Sequence, residues 1–145
     1  MTVCALYTGG HFQIWLKEGA LQRYLLVALG GALGSMLRFW MGSTIAGRFG
    51  SRFPLGTLMV NICACFLIGF TLEYLGRHAA LSPAWRFLVP VGFIGGFSTF
   101  STFEWEVWSS LSGGAYVVAA AYLGVSLVAG LLAVGVGVAA ARAVR

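Results

Sequence analysis

Residues 92–103 read Gly-Phe-Ile-Gly-Gly-Phe-Ser-Thr-Phe-Ser-Thr-Phe, inside a segment otherwise apolar enough to cross a bilayer. Adjacent glycines loosen a helix, and Pro90 just before them removes a backbone donor. Lipid offers no water to a loosened backbone, so such a backbone persists only where protein buries it or where it lines a cavity. A segment carrying four hydroxyls and several phenylalanines at that depth therefore reads as a broken helix that lines a binding site or a permeation path.

The rest of the chain agrees with a membrane setting. It is 59% hydrophobic and 9% charged, with mean hydropathy +0.89, whereas soluble domains carry about 25% charged residues. At 145 residues it is one all-α domain, with lipid as the main solvent of its apolar surface. Four apolar stretches, 23–47, 55–75, 84–110 and 115–141, are each long enough for a span of about 20 helical residues, and short joins link them. The first 22 residues, with His11, Gln13, Lys17 and Glu18, form an N-terminal extension without signal-peptide character. They read as a surface helix, a disordered tail or the product of an upstream start.

Charge sets orientation. With four spans, Lys17, Arg23, Arg77, Arg86, Arg142 and Arg145 share one side, and Arg48 and Arg52 the other. That bias favours cytoplasmic termini. The net charge of +5 contains no basic run, so nucleic-acid binding has no support. Cys63 and Cys65 are two apart, diverge on a helix and read as small packing residues; Cys4 lies in the extension. No second Cys or His pair completes a zinc set, and no nucleophile–base constellation or phosphate loop points to an enzyme. Gly30 and Gly34, Gly92 and Gly96, and Ser126 and Gly130 repeat a four-residue spacing of small residues, which draws helices together in lipid. Four helices alone leave little room for a path, so an oligomer with a pore at its interface is expected.

Polar residues within spans require a reason. Arg38 either snorkels to the headgroups or forms a cationic vestibule. Asn61 either bonds a neighbouring helix or offers amide N–H groups to a path. Phe100 and Phe103, three apart, share one helix face; they pack a core or present positive ring edges to an anion. Carbonyls of Gly95 to Ser98 at a break would suit a hard monovalent cation. Tyr122 and Ser126 place two hydroxyls on one face of the last helix. Glu104 and Glu106 face differently near a span end, by default at a surface or mouth.

Gly31-Ala32-Leu33-Gly34 with Arg38, then residues 56–61 ending in Asn61, then residues 92–103, resemble the Fluc (CrcB) fluoride channels over roughly residues 24–142. The resemblance implies small four-helix subunits of the bacterial plasma membrane, paired antiparallel, with two passive fluoride pathways that export the anion and confer resistance. It implies that Phe100 and Phe103 are the pore phenylalanines, with Asn61 the pore asparagine and Ser101 and Thr102 beside them. It implies a polar track of Tyr122 and Ser126, a vestibule at Arg38, and a structural sodium ion at the dimer centre on the backbone carbonyls of Gly95 and Ser98. Glu106 matches an acidic position of undefined role. Ala64 stands where the family usually has glycine, Ser98 replaces a common threonine, and Gly130 falls where some members have a track serine. The unbalanced arginines leave two assemblies open: a dual-topology homodimer, or a pair with a paralogous subunit of opposite fixed orientation. Other readings are a small dual-topology drug exporter, which lacks a well-placed membrane carboxylate here, and a non-transporting assembly subunit.

Overall fold

The computed structural model describes residues 19–50, 53–78 and 80–144, and its described elements are all helical. The N-terminal extension of the first 22 residues, with Cys4 and Lys17, falls mostly outside them, as do Arg52 and Arg145. Helix α1 is Ala20–Phe49 and α2 is Leu55–Arg77. Residues 84–97 run without interruption as α3, through Ala84–Arg86, wide π turns over Phe87–Ile94 and Gly95–Phe97. After Ser98 and Thr99, α4 is Phe100–Ser112 and α5 is Tyr116–Ala143. Three of these helices, α1, α2 and α5, are long and apolar enough to cross a membrane. Pro90 sits inside the π turns, where a residue without an N–H cannot continue the ordinary helical ladder.

Short connections alternate the chain direction. Consequently α1 runs parallel to α3, and α2 parallel to α5, and these are the two most intimate pairings. Glycine permits both. A Cβ on Gly30 would fall on the Leu88 carbonyl, and one on Gly34 on the Phe93 carbonyl. On the other side, Gly69 meets the Val134 backbone and Gly137 the Phe66 backbone in the same manner. Small residues at these spacings allow helix backbones into direct contact, which is how helices associate without a hydrophobic force between them. The spacing of Gly30 with Gly34 and of Gly92 with Gly96, read from the sequence as drawing helices together, is used within one chain: Gly92 meets Gly30, and Gly96 meets Gly31.

The interior lies along α2. Leu58 packs with Phe103, Val107 and Tyr122, and Val60 and Ala64 pack with Ile94 and Phe97. Cys63 borders the second cluster, and both Cys63 and Cys65 are free thiols, as expected of packing residues. Outward, the pattern inverts: Leu25, Leu29, Leu33 and Met36 of α1 and Leu127, Leu131 and Leu132 of α5 are exposed. Long helices with leucine outside and glycine at their contacts mark a protein solvated by hydrocarbon.

The ends of the bundle carry charge. Arg23 lies over the Phe87 ring at 5.3 Å, joining the starts of α1 and α3. Arg142 Nε donates to Glu73 Oε1 at 2.8 Å, and Arg77 Nη1 to the Arg142 carbonyl at 3.2 Å, joining the ends of α2 and α5. By chain direction these groups share one end, with Arg48 at the other.

We expect Gly34→Ala to lower stability by about 1–3 kcal/mol, because the added carbon has a backbone carbonyl in its place and the core must shift. Gly47, with nothing within 4 Å of a built Cβ, supplies the control; Gly47→Ala should be neutral or stabilising by up to about 1 kcal/mol. Thermal unfolding of both variants in detergent decides, and equal melting temperatures would refute the assigned role of Gly34.

Candidate functional site

Between α3 and α4 the chain leaves helical geometry for two residues. Ser98 has ψ 159° and Thr99 has φ −149° and ψ 106°. Gly95 and Gly96, expected to break the helix, are helical; the interruption falls at the hydroxyl residues after them. The reason is packing. Gly96 serves the approach to α1, where a Cβ would lie 2.6 Å from the Gly31 carbonyl.

Several of the polar groups freed by the gap meet a side chain. Thr99 N–H, which would otherwise continue the helix to the Gly95 carbonyl, donates to Asn61 Oδ1 at 2.9 Å. Asn61 Nδ2 returns the bond to the Thr99 carbonyl at 3.1 Å. One amide therefore matches both backbone groups of one extended residue, as a strand neighbour would. The Thr99 hydroxyl caps α4 by accepting from Thr102 N–H at 3.3 Å, and donates to Thr102 Oγ1 at 2.7 Å. A threonine three residues before the bonded N–H is a favoured start for a helix. From α1, Ser35 Oγ at 3.3 Å and Arg38 Nε at 3.2 Å both donate to the Gly96 carbonyl.

Along α4 the side chains at 99, 102, 103, 106 and 110 follow helical spacing and lead away from the gap. Phe103 is 7% exposed, and its ring meets Tyr122 edge-on, with centroids 5.0 Å apart and planes at 65°. Phe100 lies 6.0 Å from Phe103 by ring centroids but is 74% exposed. Tyr122 is fully buried and donates its hydroxyl to Glu106 Oε2 at 2.7 Å, while Thr57 Oγ1 donates to Glu106 Oε1 at 2.7 Å. Beyond them a cavity of about 560 Å³ is lined by Arg38, Thr57, Trp105, Glu106, Ser109 and Ser110, among others.

Ser126 Oγ is buried and has no hydrogen-bond partner. The parallel register, which sets Gly130 against Cys65 and Tyr122 beside Leu58, places Ser126 level with Asn61. A buried hydroxyl without a partner costs about 1–3 kcal/mol. Its natural complement is a guest that hydrogen-bonds.

The structure thus links Asn61 to Thr102 through Thr99 and Phe103 to Tyr122 and Glu106, with Ser126 one helical turn beyond Tyr122 and Arg38 at the cavity wall. Ser101 is exposed, as are Gly95, Ser98 and Phe100. Of the two glutamates, Glu104 is exposed and Glu106 half-buried in the hydroxyl pair. Sequence reasoning missed Thr57, Thr99 and Ser35. Thr57 is four residues before Asn61 and Ser35 three before Arg38, spacings that share a helix face. Thr99 carried the signal of a helix cap.

Residues 25–138 match the family described as CrcB-like protein, Camphor Resistance (CrcB). A protein of Acidobacterium capsulatum named fluoride-specific ion channel FluC is 50% identical over 115 residues, covering 79% of this chain and 92% of its own length. One of the same name from Solibacter usitatus is 42% identical over 120 residues, covering 83% and 98%. A third, from Thermus thermophilus, is 49% identical over 111 residues, covering 77% and 87%.

The Asn61 pair with Thr99 gives an asymmetric expectation. Asn61→Leu leaves Thr99 N–H and its carbonyl unpaired and should cost about 2–5 kcal/mol, whereas Asn61→Asp keeps the acceptor and should cost less. Thermal unfolding with amide hydrogen exchange at Thr99 measures both. Unchanged protection of Thr99 in Asn61→Leu would refute the assignment.

Proposed function

Because this chain belongs to the CrcB-like (camphor resistance) family, we propose that it is a passive, fluoride-selective channel that lets the anion leave the cytoplasm and confers resistance to it. The relatives' names supply the ion. The observation in this chain that carries the reading is the unpartnered Ser126 hydroxyl, level with Asn61 and followed by Phe103 and Tyr122. Fluoride is small and strongly hydrated, so a narrow route must replace its lost water. Hydroxyl and amide hydrogens and the positive edge of Phe103 do so without a full positive charge that would trap the ion. The activity that the relatives' names give is conduction, and no covalent step is required of any residue here.

A second subunit completes the proposal. Ser98, Phe100 and Ser101 lie exposed beside the gap, and hydroxyls facing lipid at that depth are unfavourable. An antiparallel copy of this chain covering that strip brings Phe100 back onto a route, and a paralogous partner of opposite orientation is the alternative. Gly95 and Ser98 fit a sodium ion at the two-fold axis. The Gly95 carbonyl loses its usual helical donor, since Thr99 N–H turns to Asn61, and Ser98 is extended. When bound, the ion supplies a positive charge that ties the two gaps together. The arginines at the ends of α2 and α5 and the starts of α1 and α3 favour a cytoplasmic placement of that end of this chain in a bacterial plasma membrane.

Efflux from liposomes, read with a fluoride electrode and a chloride control, tests the proposal. The purified chain should release fluoride and retain chloride. Ser126→Ala should lower fluoride flux about tenfold or more, as loss of a hydrogen bond to an ion implies, while stability stays level or rises because no internal bond is lost. Phe103→Ile should lower flux similarly in a folded protein. No fluoride release from the folded chain, alone or with a paralogous subunit, overturns the channel reading; normal flux in both variants overturns the route.

A further inference from the structure

Taking the conduction reading as premise, we propose that Arg38 is a positioning residue which holds the interrupted segment through the Gly96 carbonyl. Its role is then more than that of a fixed charge at the cavity wall. The observation is a convergence: Arg38 Nε and Ser35 Oγ both donate to one oxygen, at 3.2 and 3.3 Å. Gly96 stands two residues before the gap. Its carbonyl would be satisfied in a continuous helix by the N–H of Phe100, which instead opens α4 beyond the extended pair. Carbonyls at a helix end need donors, and at membrane depth water is not there to supply them.

Helix α1 supplies both. Ser35 and Arg38 are three apart and share the face that Gly31 and Gly34 bring against α3. On the far side of the gap, Asn61 of α2 holds Thr99. The gap is clamped from two helices, and only the α1 clamp carries a charge. That charge has a second consequence: the guanidinium occupies the Gly96 oxygen and withdraws it from any cation.

The alternative role for Arg38 is electrostatic attraction of anions into the cavity it lines. The two roles separate cleanly. Charge attraction survives Arg38→Lys, ignores Ser35→Ala, and fades as salt screens it. A clamp depends on the rigid planar fork of arginine, which lysine does not reproduce, and on the uncharged serine as well.

The experiment measures fluoride efflux per folded protein at low and high ionic strength, with amide hydrogen exchange at Ser98 and Thr99. The variants are Ser35→Ala, Arg38→Lys and Arg38→Ala. We expect both Arg38 variants to lose flux about tenfold or more at every ionic strength, as loss of a charge-assisted bond implies. Ser35→Ala should lose flux by a smaller factor, and exchange at Thr99 should quicken in all three. Normal flux in Ser35→Ala and Arg38→Lys, with an Arg38→Ala defect that disappears in high salt, overturns the proposal. Should Arg38→Ala not fold, Ser35→Ala and Arg38→Lys decide between the same outcomes. If the unaltered chain releases no fluoride, alone or with a paralogous subunit, the conduction reading fails, and unchanged exchange in the three variants is then what overturns the clamp.

Discussion

The pairing of one side-chain amide with one backbone residue makes the rest of this architecture tenable. A helix that stops inside hydrocarbon exposes carbonyls and N–H groups that cost several kcal/mol each when unpaired. Asn61 answers the N–H and the carbonyl of Thr99 together, the Thr99 hydroxyl caps the restarted helix, and α1 answers Gly96. With those groups satisfied, the gap is a fixed feature. A fixed gap can aim α4 so that Phe103, Glu106 and Ser110 follow one another along its inner side. The positive end of α4 then also points into the gap.

Glycine makes the clamps reachable. Hydrogen bonds of about 3 Å between a side chain of one helix and the backbone of the next require their axes to be close, and small residues allow that. Gly31 against Gly96 is the instance that matters most, since the same approach brings Ser35 and Arg38 within reach of the Gly96 carbonyl. A bulkier residue at Gly96, where a Cβ would lie 2.6 Å from the Gly31 carbonyl, would part α1 from α3 and break the bonds as well as the packing.

How much of this was legible in the sequence follows from which interactions are local. Helical stretches matching the four apolar segments came from hydrophobic length, and the special character of residues 92–103 from composition that no lipid-facing helix would tolerate. The break expected over Gly95 to Ser98 lies at its far end, at Ser98 and Thr99, because glycine has two uses in a helix, to loosen it or to admit a neighbour, and only the neighbour's location distinguishes them. The four-residue glycine spacings were ambiguous for the same reason, since a spacing identifies a contact face and leaves open whether the face meets its own chain or another. Asn61 stands out in the sequence as an amide deep in its span, but its bond to Thr99 spans 38 residues of sequence and no periodicity encodes it. Glu106, expected by default at a surface or mouth, lines the cavity, but its partners, Thr57 and Tyr122, lie on two other helices and no spacing in the chain reveals them.

The distribution of charge bears on how a route of this kind could release an ion as well as bind it. Among the described residues the arginines sit at the helix ends, at the cavity wall or on a backbone carbonyl; the line from Asn61 and Ser126 to Phe103 and Tyr122 holds no cation. Neutral donors stabilise a dehydrated anion by modest amounts each, so neighbouring stations differ little in energy, and conduction needs sites strong enough to enter and weak enough to leave. Glu106 sharpens the point. Its oxygens already accept the hydroxyls of Thr57 and Tyr122, so an anion arriving there competes with a resident carboxylate for the same hydrogens. On the proposed route a carboxylate placed so would keep that station from becoming a trap, with the cavity that Arg38 and Glu106 both line beside it.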